Sequence, residues 1–190
     1  MEINYEKLEL LNSFYEEQIE TNAIFLTGSK GLGKTSVIRD FLSEKKNVVH
    51  IACYGKSNFV LEPMFVAINM FYISQNENYI LDNSSGLNMT ERINMELIKI
   101  CSNNKTIFYF ENVTNYEQEL LIYVKDLLAL FINHYKNLKT LFIFDIDTDD
   151  NTNTVVSQLS QYFYTISPTF EYIPFSVHTS ETIKQYFKSI

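Results

Sequence analysis

Short, nearly unbroken apolar runs alternate along this chain with longer stretches in which apolar residues recur every three or four positions. The runs are AIFLT (23–27), NVVHIACY (47–54), KTIFYFEN (105–112), KTLFIFDID (139–147) and FEYIPF (170–175). Runs this short that lack a polar face predict strands buried on both sides. Between them, the wider spacing predicts helices over 2–20, 34–46, 59–74, 89–104 and 116–135. Leu8, Leu11 and Tyr15 mark the buried stripe of the first helix. Pro63 falls in the first turn of the third, where its missing N–H costs nothing, and Thr90 is expected to cap the fourth. Segment 74–88 reads as a loop and 154–166 has helical spacing. In TSETIKQYFKSI (179–190), Thr179 or Ser180 opens a further helix.

Strands that alternate with helices predict an α/β fold, here a five-stranded, mostly parallel sheet with helices on both faces. A chain of 190 residues fits one such domain. The expected domain is 1–176, N-terminal helix included, and 177–190 is the expected start of a separate helical element.

Composition narrows the classes. With 46% hydrophobic and 20% charged residues the chain can bury a core. A net charge of −8 argues against a direct grip on nucleic acid, which needs Lys and Arg to replace condensed counterions. The N-terminus MEINYEKLELL lacks the basic and apolar regions of a secretory signal. The greasiest stretch, FVLEPMFVAINMFYI, is interrupted by Glu62, Pro63 and Asn69 and is too short to span a bilayer. Two scattered cysteines, Cys53 and Cys101, suggest a reducing compartment, so a cytoplasmic location with no membrane contact is expected. No spacing among His50, His134, His178 and the cysteines matches a metal site, and His50 with Cys53 reads as strand packing.

The first strand runs into FLTGSKGLGKTS (25–36), which satisfies G-x-x-x-x-G-K-[ST] at Gly28, Gly33, Lys34 and Thr35. The setting is right, with an apolar strand before it and a helix after it. Gly28, Gly31 and Gly33 let the backbone curl so that the N–H groups of residues 28–36, those of Ser29, Lys30, Leu32 and Ser36 among them, form an anion nest. The following helix adds its positive end at the same point. Lys34 can reach β- and γ-phosphate oxygens as a point charge, and Thr35 offers a hydroxyl to Mg²⁺. The loop therefore predicts nucleotide binding.

Hydrolysis needs two further groups, an acid near the metal and a base for the attacking water. TIFYFEN delivers Glu111 and Asn112 to a strand's C-terminal end, the edge at which ligands collect in parallel sheets. The order of phosphate loop, acidic strand tip, polar-tipped strand LFIFDID and short strand before SVHTSETIKQYF resembles the AAA+ and STAND-type P-loop ATPases. The resemblance implies ATP or ADP with Mg²⁺, and a helical lid after the fifth strand through which a partner or a second copy is engaged. The chain ends where that lid would begin, so the expectation is a fragment of a larger protein.

In those families the third strand ends in Asp followed by Asp or Glu, whereas here the pair is Glu111–Asn112. Either Glu111 serves the metal beside Thr35 and Asn112 orients water without accepting its proton, or Glu111 is the base and the metal rests on Thr35 alone. The resemblance also implies a polar sensor at 145–148. Two acids beside a γ-phosphate would repel it unless magnesium or a partner's arginine intervenes, which favours Thr148, or an acid turned outward. The run DIDTDD imitates a calcium loop but has Asp150 at the glycine turn and Val156 at the twelfth position.

Only two arginines occur, Arg39 and Arg92; the first is expected to face solvent or an acid, and the second to form a surface ion pair in preference to reaching a neighbouring subunit's nucleotide. Arginine commonly meets transition-state charge in phosphoryl transfer, so slow or partner-completed hydrolysis is expected, with Lys34, Glu111 and Asn112 as the catalytic set. Tyr5 is expected to pack on the core or to stack over adenine. A small-molecule P-loop kinase and a nucleotide-gated interaction module without turnover are the alternatives.

Overall fold

The computed structural model describes residues 2–17, 19–53, 59–77, 86–147 and 171–175. Among these residues five strands form the sheet: β1 (Asn22–Gly28), β2 (Val48–Ala52), β3 (Ile107–Glu111), β4 (Leu141–Asp147) and β5 (Glu171–Pro174). Their order is β2-β3-β4-β1-β5, and every pairing is parallel. The helices are α1 (Glu2–Glu17), α2 (Lys34–Ser43), α3 (Glu62–Ser74), α4 (Met89–Ser102) and α5 (Gln118–His134). The α/β expectation holds, and the parallel order explains why the strands read as continuous apolar runs.

Alternation along each strand sorts the core into two layers. Phe25, Phe108, Phe110, Phe142 and Phe144 point to one face, where α3, α4 and α5 cover them. Register makes this a ladder, with Phe110 opposite Phe144 and Phe144 opposite Phe25. Ring centroids lie 4.9 Å and 5.1 Å apart in these two stacked pairs. Each such contact adds roughly 0.5–1.5 kcal/mol beyond area burial. The opposite face carries Ile24, Leu26, Ile107, Tyr109, Leu141 and Ile143 under α1 and α2. This second face matters for function, because the residues that continue its alternation past the core are Gly28, Glu111, Asp145 and Asp147.

Local details differ from expectation in two places. Asn88, and not Thr90, caps α4: its Oδ1 accepts from the Glu91 N–H at 2.9 Å while Glu91 accepts from the Asn88 N–H at 2.9 Å. This reciprocal box satisfies two amide donors at once, which a cap at Thr90 would not. Tyr5 is 63% exposed on α1, so it does not pack on the core. Pro63 does lie in the first turn of α3. The helix expected over 154–166, the sensor Thr148 and the segment 177–190 lie outside the described residues. Among those residues no helix is long and apolar enough to cross a membrane. Both thiols are free, and burial pushes each up to about 11.

Candidate functional site

The glycine loop leaves β1 between β4 and β5 and enters α2. At its start Gly28 has φ +152°, and a Cβ there would stand 2.8 Å from Phe175 Cβ and nearer still to the Phe175 carbonyl oxygen. Only glycine lets β5 run this close. At its end Gly33 takes φ 87° in the left-handed region and turns the chain into the first turn of α2.

Lys34 is 4% exposed, and its ammonium is fully engaged within the chain. Nζ donates to the Gly28 carbonyl at 2.6 Å, to the Ser29 carbonyl at 3.2 Å and to Asp147 Oδ1 at 2.7 Å. Asp145 Oδ1 lies 3.8 Å away. The register explains the convergence, since Gly28 pairs with Asp147 and Leu26 with Asp145 on adjacent strands. Neither acid is turned outward, which corrects that part of the sensor expectation. Strand alternation puts both on the α2 face, beneath the lysine.

Asp145 is the more constrained of the two. It is 4% exposed, Tyr109 Oη donates to its Oδ2 at 3.4 Å, and its Oδ1 is buried without a hydrogen-bond partner. Burial raises its pKa from 3.8 to about 6; Lys34 opposes the rise, and the charge of Asp147 adds to it. Tyr109 in turn is held far above the ordinary phenol range by burial and by the Asp145 charge.

Glu111 and Asn112 end β3 as expected. Asn112 adopts φ 51° and ψ 55°, a left-handed backbone that asparagine tolerates better than most residues. Its Oδ1 accepts from the Thr114 hydroxyl at 2.9 Å. That turn supplies a local reason for asparagine at this position. Glu111 Oε2 lies 2.8 Å from His50 Nε2 on β2. The His50 ring stacks on Tyr109 with centroids 4.9 Å apart.

His50 is therefore a member of the site that sequence reading assigned to strand packing. It is 47% exposed, and Val49 and Ile51 carry the packing on the other face. The usable signal was the alternation in VVHIA, but His50 stands opposite Tyr109 only once β2 is known to pair with β3. Arg39 is exposed on α2 as expected. Arg92 donates from Nε to the Leu87 carbonyl at 2.8 Å.

The loop and the tips of β3 and β4 enclose a cleft of about 340 Å³. Lys30, Gly31, Gly33, Lys34, Thr35 and Ser36 form one wall, and Glu111, Asn112, Asp145 and Asp147 the other. Gly28 and Ser29 meet the cleft through Lys34, whose ammonium donates to their carbonyls, while Leu32 packs toward the α1–α2 core. A neighbouring hollow of about 580 Å³ shares Thr35 and Glu111 with the cleft and opens between α2 and α3. Its walls include Ile38, Leu42, Met70 and Phe71.

The hydroxyls of Thr35 and Ser36 and the carboxylates of Glu111, Asp145 and Asp147, with Asp145 Oδ1 unpartnered, are oxygen donors of the kind that a hard divalent cation such as Mg²⁺ takes. Among the described residues no three acidic, histidine or cysteine side chains converge into a cage that would hold a metal unaided.

No family model matches the chain, and no curated protein matches it by sequence. Solved structures match it by shape. Cdc6p of Pyrobaculum aerophilum superposes with a TM-score of 0.60 at 16% identity, over 97% of this chain and 48% of that one. The ORC2 protein of Aeropyrum pernix, solved in ADPNP and ADP complexes, gives 0.57 at 10% identity, over 97% and 49%. A chain of Drosophila ORC bound to DNA gives 0.56 at 11% identity, over 96% of each chain. This chain spans about half the length of the Pyrobaculum and Aeropyrum proteins. At these identities the likeness is one of fold: the parallel α/β arrangement described above is shared with these proteins.

Proposed function

We propose that this chain is an Mg²⁺-dependent ATP-binding domain, with slow or partner-dependent hydrolysis that makes it a nucleotide-driven switch. The observation that carries the reading is the meeting of loop and strand tips: a buried Lys34 at the start of α2 faces Asp145 and Asp147, with Glu111 and Asn112 across the same cleft. The amides of residues 28–36 form the polyphosphate cradle, and Thr35 and Glu111 would hold the cation. Mg²⁺ bound there would draw charge from the phosphate oxygens. Lys34 offers its ammonium to the same oxygens, and Glu111 and Asn112 orient water at the far wall.

Arginine lines no part of the cleft, which supports slow turnover by the domain alone. In this reading 1–176 is the nucleotide-binding domain, and 177–190 begins a lid through which a partner or second copy is engaged. Thr148 is retained as a sensor. The domain works in the cytoplasm, touches no membrane, and with net charge −8 makes no direct grip on nucleic acid, the DNA in the Drosophila assembly being a property of that assembly.

The test is calorimetric titration of the wild type and Lys34→Ala with Mg·ATP, followed by single-turnover cleavage of labelled ATP. Binding by the wild type that Lys34→Ala loses supports the reading, and slow product formation makes the domain an ATPase. Absence of binding at millimolar Mg·ATP refutes it. Binding without product leaves a nucleotide-gated interaction module.

One observation favours a second reading. The hollow between α2 and α3 adjoins Thr35 and Glu111 and is large enough for a small organic phosphate acceptor. Transfer of label from ATP to such an acceptor, and not to water, would make this chain a small-molecule kinase.

A further inference from the structure

We propose that Asp145 and Asp147 decide which form of nucleotide the loop accepts, excluding the bare polyphosphate and admitting its complex with a divalent cation. The inference rests on the nucleotide-binding reading above. It starts from the donor count at Lys34. An ammonium has three N–H donors, and all three are spent, on Gly28, Ser29 and Asp147. A phosphate can engage Lys34 only by displacing one of these partners. The two carbonyls belong to the loop itself, so the partner that must yield is Asp147.

Displacement has a consequence for charge. The cleft lining carries Lys30 and Lys34 against Glu111, Asp145 and Asp147. Once Lys34 turns to phosphate, Asp147 loses its 2.7 Å partner and Asp145 its 3.8 Å neighbour. Asp145 Oδ1, already buried without a hydrogen bond, then has nothing to offset it. A metal-free triphosphate brings about four further negative charges into this setting, and no arginine lines the cleft to meet them. A divalent cation arriving with the nucleotide halves that charge and replaces the counterion that the two aspartates give up. The β4 acids thus act as a filter at the phosphate loop, holding Lys34 neutralised until a cation enters with the ligand.

The experiment compares affinity for ATP and ADP in Mg²⁺ with affinity in EDTA, at matched ionic strength, by calorimetry. The wild type is expected to prefer the Mg²⁺ form by about a hundredfold or more. Asp147→Asn keeps the shape and removes one facing charge, so it should narrow the gap about tenfold, chiefly by strengthening metal-free binding. Asp147→Glu should keep the gap, and Asp40→Asn, on the exposed side of α2, should leave it unchanged. Should Asp147→Asn lose its cooperative unfolding transition, Asp145→Asn carries the same expectation. A ratio of affinities is the right readout, because general loosening of the loop would weaken both forms together. Equal binding of both forms by the wild type, or a gap that survives removal of either acid, overturns the inference while leaving nucleotide binding intact. If no variant binds any nucleotide, the filter and the nucleotide reading fall together.

Discussion

His50 Nε2 lies 2.8 Å from Glu111 Oε2, so the only acid on the β3 tip is bonded to a neighbouring strand before any ligand arrives. Both side chains are partly exposed, and exposed pairs of this kind contribute little to stability. Their effect falls on the availability of a carboxylate oxygen.

His50→Phe should therefore keep the stack on Tyr109, change unfolding free energy by less than about 1 kcal/mol, and release Glu111. Single-turnover ATP cleavage is expected to rise severalfold, and Glu111→Gln to abolish it in either background. Urea unfolding and quench-flow product measurements check the two halves separately. Unchanged cleavage in His50→Phe would reduce the pair to a surface contact.

The buried lysine supports a prediction about stability without ligand. Removing one partner of a buried ion pair strands the other, at about 3–5 kcal/mol in full burial. Asp147 is 19% exposed, and part of its charge can be met by water. Lys34→Met should thus cost about 2–3 kcal/mol near neutral pH. The double variant Lys34→Met, Asp145→Asn should recover at least half of that loss, because the carboxylate left facing Asp147 is gone. Denaturant midpoints of the four chains close the cycle.

Asp145 also gives stability a pH dependence of unusual sign for an acid. Its folded pKa lies at about 6, above the ordinary 3.8, so the folded chain binds more protons than the unfolded chain between these values. Stability then falls as pH rises, because protonation favours the folded form. The contribution is fully present below about pH 3.8 and is lost as pH passes about 6. The rise corresponds to roughly 2–3 kcal/mol. Asp145→Asn should flatten this part of the curve and become relatively more stable than the wild type above pH 6. Thermal unfolding at half-unit intervals from pH 4 to 7.5 reads the difference.

Much of this architecture was legible in the chain because the physics was local. A strand buried on both faces has no room for polar residues, so IFYF and LFIF announce themselves wherever they pair. The loop was equally plain, since its glycines answer to backbone geometry and Lys34 and Thr35 follow at fixed offsets. The illegible parts depended on pairing. His50 met Glu111 because β2 lies beside β3, and Asp147 met Lys34 because β4 was inserted between β3 and β1. Neither adjacency is written in the spacing of apolar residues. The cap of α4 is illegible for another reason: Thr90 and Asn88 are both good caps, and only the reciprocal bond with Glu91 separates them.

The junction of loop and edge strand gives the sharpest steric prediction. A Cβ added at Gly28 meets backbone and Cβ atoms of Phe175, which cannot rotate away, and the site has φ +152°. At Gly31 a Cβ meets nothing within 4 Å, and only the φ of +89° opposes it. Gly31→Ala should cost about 1 kcal/mol, from backbone strain alone. Gly28→Ala must also push β5 from its pairing with Ile24–Thr27 and break the bond from the Phe175 N–H to the Thr27 carbonyl, 2.6 Å long. It should cost at least about 2 kcal/mol more than the Gly31 change. Hydrogen exchange should localise the damage, with the amides of Tyr172, Ile173 and Phe175 losing protection in Gly28→Ala and keeping it in Gly31→Ala. Because the Gly28 carbonyl also accepts from Lys34, nucleotide affinity should fall with the first substitution even where the fold survives. Equal destabilisation by the two alanines would mean that β5 has room to yield and that the close approach at Phe175 imposes no constraint.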